Sequence, residues 1–417
     1  MEILSTGQKI KRARIYKGYT LKRLCSNRIS VSKMSCIEND KVVPEKWVLD
    51  FIAKRLEIDG DYLKQDVKYQ ITQNINNIKN SGYSNHYEKD LSYNLKFAEK
   101  YHYYDICLNI MHFLFNYYLE KGKTEKIQLI ISKYYDYCHK CFNKENEIIY
   151  YMDIAKFFYT TKEFSQAASY YNNVRIISND MKNYELLSRA TYNEAACYLM
   201  LEDYEKSYSI AEKMITLIDY MEDDSKKAEA YHMLAILSLR KNSGKFEEYE
   251  KKSYELYKDD LVHKSQAMYN YGAVMFALGL KKRAVKYVSS AIESYPKDDK
   301  MNLVKFLLMS IKKLIENDVL EIAQDTCDTA LNYAIDLDNV VFIEMAYHYK
   351  ALILEKQGKM DLAEMYMNLS LDALLKFANS SQICNRYIEM GDMYHKMGDV
   401  RESIKYFNLG IQMEKRI

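Results

Sequence analysis

The chain has 417 residues, with 60 Lys and Arg against 58 Asp and Glu, a formal net charge of +2. Two prolines and 12 glycines leave few helix breakers, so an all-α protein is expected. No apolar run reaches the 18 or so residues of a spanning helix, and the amino terminus lacks a signal-peptide core. A cytoplasmic protein with no membrane association is therefore expected.

The small net charge hides an asymmetry. Residues 1–64 hold 14 Lys or Arg against 8 Asp or Glu, and the remainder 46 against 50. A basic head on a slightly acidic body fits a nucleic-acid module joined to something else.

Within the head, a first helix is expected over Ser5–Tyr16, with Ile10 and Ala13 inward. It stops at "KGYT", where Gly18 suits the residue after the helix and Thr20 an N-cap. A second runs from Leu21 to about Asn27 around a buried Leu24. Ser30 can cap a third, which carries Val31, Met34 and Ile37 on one side. "VVPEKWVLDFIAKRL" follows, with Pro44 near a helix start and Trp47, Val48, Phe51, Ile52 and Leu56 forming an apolar face.

Two short helices across a tight link make a helix-turn-helix, whose second helix enters the major groove. The stretches "GQKIKRARIYKGYTLKRLC", "SVSKMSCIEND" and "VPEKWVLDFIAKRLEI" resemble a phage-repressor-type helix-turn-helix domain of five helices. That resemblance implies that Arg14 pairs with Glu38 as a structural ion pair. Ser32, Lys33 and Cys36 are the candidates for contact with base edges, Cys36 offering only weak contacts. Lys9, Arg12, Arg28 and Lys41 are candidates for phosphate, which supplies affinity without sequence information.

Residues 65–90, polar and broken at Ser81-Gly82, read as a partly helical linker. From 91 to 417 the chain repeats itself, as in "KEFSQAASYYNNVRI", "LEDYEKSYSIAEKMI", "GKMDLAEMYMNLSL" and "GDVRESIKYFNLGI". A small residue recurs about every 40 positions (Ala167, Ser207, Ala284, Ala323, Ala363, Ser403), and another often stands 12 earlier (Ala155, Ala195, Gly272, Ala351, Gly391). Small residues facing each other across a helical hairpin allow close packing. This is a tetratricopeptide-like pattern with a lengthened period: about eight helical pairs stacked as a right-handed superhelical solenoid.

The inner surface of such a solenoid is lined by the first helix of each pair, two residues before the small one. Asp153, Asn193, Asn270, Tyr349 and Glu389 stand there. An Asn at that place donates and accepts at once, holding an extended peptide backbone whatever its sequence. Asn193 and Asn270 fit that role. Arg189, one turn before Asn193, suits a peptide carboxylate, and Asp153 and Glu389 suit a cationic end.

A short-linked helix-turn-helix followed by 40-residue repeats resembles the RRNPP family, named for Rap, Rgg, NprR, PlcR and PrgX. The resemblance implies a homodimeric quorum-sensing transcriptional regulator that binds double-stranded DNA through its head. A short imported signalling peptide would lie in the repeat groove and switch DNA binding. A repeat scaffold for a protein partner, such as a response regulator, is the alternative.

No nucleophile–base pair, metal-ligand cluster or Gly-rich phosphate loop is visible, so no catalytic residue, metal, cofactor or enzyme activity is expected. The close pair Cys138 and Cys141 lacks a second ligand pair and reads as structural.

Overall fold

The structure, a computed structural model, describes residues 2–414. All its regular elements among these residues are helices. The chain divides into two compact units, Met1–Leu201 and Glu202–Ile417.

The first unit opens with five short helices: α1 (Thr6–Tyr16), α2 (Leu21–Cys25), α3 (Val31–Glu38), α4 (Lys46–Leu56) and α5 (Gly60–Lys64). They form where the sequence supplies caps. Ser5 and Gln8 make a capping box, Thr20 accepts from the Arg23 amide at 3.2 Å, and Ser30 from the Lys33 amide at 3.1 Å. These side chains satisfy amides that the first turn of a helix leaves without partners. Ile10, Leu24, Met34, Ile37, Ile52 and Leu56 form a core of their own, each at most 1% exposed. On α4, Val48 joins that core, but Trp47 stays half exposed. The α2–α3 link turns through Ser26 (φ 47°) and Asn27 (φ 60°), two consecutive left-handed residues.

Arg14 clamps this bundle, its guanidinium meeting Glu38 at 2.6 and 2.9 Å and the Tyr19 carbonyl at 2.9 Å. Gly7 lets α1 approach the end of α3. A methyl there would sit 2.6 Å from Asp40 Oδ1 and closer still to the Ile37 carbonyl oxygen.

Residues 65–90 hold α6 (Val67–Asn80), and α7 (Tyr87–Lys100) begins at their end. Val67, Ile71 and Leu91 are buried in a second core, which Ile3 from the amino terminus joins. Beside it, the Ile3 amide donates to Tyr93 Oη at 3.2 Å. The Leu4 backbone exchanges two hydrogen bonds with the Gln70 amide, at 3.2 and 2.8 Å. The basic head is thus fastened to α6 and α7 at its start as well as through the chain at Gln65.

Five 17-residue helices complete the unit: α8 (Tyr104–Glu120), α9 (Thr124–Lys140), α10 (Lys144–Thr160), α11 (Phe164–Asp180) and α12 (Tyr184–Met200). Ala155 and Ala167, the small residues of one hairpin, meet in one cluster with Tyr171 and Cys197.

The second unit begins with α13 (Tyr204–Met214) and a 3-10 turn, Ile218–Tyr220. Five hairpins follow: α14 (Asp224–Lys241) with α15 (Phe246–Tyr257), α16 (Leu261–Ala277) with α17 (Lys281–Ser294), and α18 (Lys300–Glu316) with α19 (Leu320–Asp336). The last two are α20 (Val340–Lys356) with α21 (Met360–Leu374), and α22 (Ser380–Met397) with α23 (Val400–Glu414). Their first helices start 37 to 40 residues apart. Small residues again set the hairpin contact. A methyl on Gly272 would lie 2.7 Å from Val288 Cγ2, and one on Gly391 2.7 Å from the Phe407 ring. Ser403 Oγ donates to the Gly391 carbonyl at 2.9 Å.

Candidate functional site

The α3 helix is held from within by Met34, Ile37 and Glu38, all buried. Its other side carries Ser32, exposed, with Lys33 and Cys36 half-buried, so the three candidate base-contacting residues share one helix. Lys33 Nζ donates to Glu45 Oε1 at 2.9 Å, and Trp47 Nε1 donates to Glu45 Oε2 at 2.7 Å. The Lys33 and Trp47 hydrogen bonds hold the Glu45 carboxyl below its ordinary range. Lys33 is therefore tethered by a neighbour that patterning did not single out.

Arg28 and Lys41, exposed just before and just after α3, flank it as phosphate contacts would. Arg28 also lies over the Phe51 ring, 5.7 Å from its centre. Arg12 is exposed and pairs with Glu2. Lys9 is a correction. Expected at phosphate, it is only 1% exposed. Its Nζ donates at 2.7 Å to the Tyr62 and Gln65 carbonyls around the end of α5. Burial, opposed by the charge of Asp66, pushes its pKa down to about 8. Lys9 closes the head rather than facing a ligand.

The repeat-position residues fall into two groups, one per unit. In the first unit, Asn193 on α12 is half-buried and Arg189, one turn earlier, is exposed. Asp153 on α10 does not join them as a free carboxylate, which corrects the expectation that it meets a peptide's cationic end. It is 4% exposed and accepts from His112 Nδ1 at 2.7 Å, Tyr134 Oη at 2.8 Å and Asn116 Nδ2 at 3.2 Å. Three donors engage both its oxygens, and it ties α8, α9 and α10 together.

In the second unit, Asn270 on α16 is exposed, and its amide donates to His232 Nε2 on α14 at 3.2 Å. That bond requires a neutral imidazole, and burial pushes the His232 pKa down to about 4. Glu389 on α22 meets His348 Nε2 at 2.9 Å and Arg386 Nε at 2.9 Å. Burial raises its pKa, but His348 and Arg386 outweigh that and hold the carboxyl below its ordinary range. Arg386 also reaches Glu344 at 2.8 Å, and Arg386 and Glu344 are both buried. Tyr349 on α20 is half-buried. Glu389 is the part of this network that reaches solvent, its side chain 44% exposed.

Cys138 and Cys141 both have thiols pushed up by burial, Cys138 to about 11, which keeps them protonated. Among the described residues no three His, Cys, Asp or Glu side chains are grouped to hold a metal ion. No helix among them is long and apolar enough to cross a membrane.

No protein-family model matches the chain, and no curated protein does. Solved structures do. The apo form of the quorum sensor NprR from B. thuringiensis is 15% identical, with a TM-score of 0.47, over 84% of this chain and 98% of that one. The apo form of RapI is 14% identical, with a TM-score of 0.43, over 74% and 97%. Bacillus thuringiensis PlcR, in complex with the peptide PapR7 and DNA, is 15% identical, with a TM-score of 0.24, over 89% and 95%.

Proposed function

We propose that the protein is a peptide-responsive, DNA-binding transcriptional regulator of the kind the RRNPP resemblance implies. The observation that carries this reading is the head. It is a basic five-helix bundle in which α2 and α3 meet across a five-residue link. α3 keeps Ser32, Lys33 and Cys36 away from its core. In this reading α2 and α3 are the helix-turn-helix, with α3 in the major groove, and Arg28, Lys41 and Arg12 meet phosphates. Each unit offers first-helix faces to a short peptide, with Asn193 and Arg189 as contacts within the first and Asn270 and Glu389 within the second. The chain acts as a homodimer in the cytoplasm and has no enzymatic role. Peptide is a differential ligand: it favours one arrangement of the repeats, and so changes how the heads meet DNA.

Fluorescence anisotropy on labelled DNA from upstream of the protein's own gene tests the reading, followed by selection from random duplexes if that site fails. The expected result is sequence-preferring binding that Lys33→Ala weakens more on the selected site than on random DNA. Equal loss on both would reduce Lys33 to a phosphate contact. No preferred sequence after selection would sink the DNA-binding reading. A single stoichiometric protein partner in pulldown, with no peptide response, would favour a scaffold.

A further inference from the structure

In the second unit, one repeat position recurs as Asn270, Met309, Tyr349 and Glu389, on α16, α18, α20 and α22. These helices are neighbours. The Tyr269 and Phe306 rings join α16 to α18 at 5.9 Å between centres, α18 packs on α20, and His348 joins α20 to Glu389 of α22. The position therefore marks a continuous strip across four helices.

Charge is not spread evenly along it. On α18, Lys305 and Lys312 stand one turn either side of Met309, and all three are exposed. Neither lysine has an acidic partner among the described residues. Five other lysines of these helices are paired, among them Lys300 with Asp336, Lys313 with Glu316 and Lys350 with Asp328. On α22 the sign reverses. Asp392 is exposed one turn beyond Glu389, and the carboxylates of Glu344 and Glu389 share one guanidinium, that of Arg386. Met309, 41% exposed, stands between the two lysines on α18, and half-buried Tyr349 on α20 lies between α18 and α22.

We infer that this strip binds a short peptide of defined polarity. An acidic group lies over Lys305 and Lys312, an apolar side chain on Met309 and Tyr349, and a basic group against Glu389 and Asp392. The inference rests on the peptide-receptor reading and adds the chemistry and direction of the ligand. Packed helix axes lie roughly 8–10 Å apart, so α18 and α22 are separated by about 20 Å. An extended chain advances about 3.3 Å per residue, and the two charged groups are then about six residues apart. Opposite charges at the two ends fix the peptide's direction, which backbone-holding asparagines alone do not.

The test is an affinity selection of the full chain against a pooled random library of free-ended octapeptides, with retained sequences read by mass spectrometry. Retained peptides are expected to carry an acidic group, side chain or terminal carboxylate, and a basic group about five to six residues away. The double variant Lys305→Glu/Lys312→Glu is expected to bind the best of them at least tenfold more weakly. A fresh selection with it should exchange the acidic preference for a basic one and leave the other end unchanged. Lys305→Gln/Lys312→Gln, which removes the charge but keeps a polar side chain, should lose the acidic preference without gaining a basic one. Asp392→Lys should alter only the other end. Retained peptides with no charge preference would overturn the polarity and leave peptide binding standing. No retained peptide at all would remove the receptor reading itself.

Discussion

Replacing Gly7 with Ala sets two effects against each other. Alanine favours a helix over glycine by about 1 kcal/mol in a helix interior, and less near its start. Against this, the new methyl would sit 2.6 Å from Asp40 Oδ1 and 3.0 Å from the Glu38 carbonyl carbon. The nearby Ile37 carbonyl cannot swing aside, since it accepts the Asp40 amide at 3.0 Å. α1 must therefore retreat from α3, stretching the Gly7 amide bond to Asp40 (3.1 Å) and the Ser5 hydroxyl bond to the same carboxylate. Overpacking costs about 1–3 kcal/mol and each weakened hydrogen bond about 1 kcal/mol, so the head should lose about 2–4 kcal/mol net. Trp47 is the chain's one tryptophan and lies in α4, so its fluorescence in a urea titration reports on the head. A Gly7→Ala midpoint equal to or above the wild type would mean that helix propensity wins and that the α1–α3 contact is looser than described.

Asp153→Ala should destabilise the first unit by about 2–4 kcal/mol, because three donors, including the fully buried Tyr134 hydroxyl, lose their acceptor. Hydrogen exchange in α8–α10 reads this, and unchanged protection would refute it. His232 is neutral when folded, with its pKa down at about 4 against an ordinary 6.5. Below pH 6.5 the unfolded chain takes up the proton first, so stability present above that pH is lost as pH falls towards 4. Between pH 6.5 and 5 the wild type should lose up to about 2 kcal/mol more than His232→Gln, and parallel unfolding curves for the two would exclude it. Glu45→Gln should release Lys33 and raise DNA affinity a few-fold at low salt. The gain should vanish in a Lys33→Ala background, and a gain that persists there would assign the effect to general charge.

The helices were legible because their signals are local. Ser5, Thr20 and Ser30 announce starts, and small residues 12 apart announce hairpins. The turns between repeats were harder to read, since several use Lys162, Lys182, Asp318 and Asp338 in the left-handed conformation where glycine would have given a plain mark. Site residues were legible in position but not in occupation. Lys9 and Asp153 look like solvated charges until distant chain brings them partners: two carbonyls beside α5, and donors from α8 and α9. The tether from Glu45 to Lys33 spans 12 residues and a helix boundary, so no periodicity encodes it. Gly7 gave no warning, as its need arises only from the backbone of α3 passing alongside.

The paired bonds of Leu4 and Gln70, with Ile3 in the α6–α7 core, have a practical consequence. A module held at both ends of its chain is a mount rather than a pendant. Swivelling the head about Gln65 would draw Ile3 back into water, at about 1.5–3 kcal/mol for the side chain alone, and break three hydrogen bonds besides. An excised fragment ending at Lys64 would lose these anchors, and a bulky amino-terminal tag would press on them. DNA measurements on either would describe a loosened reader, so untagged or carboxy-terminally tagged full-length protein is the proper reagent.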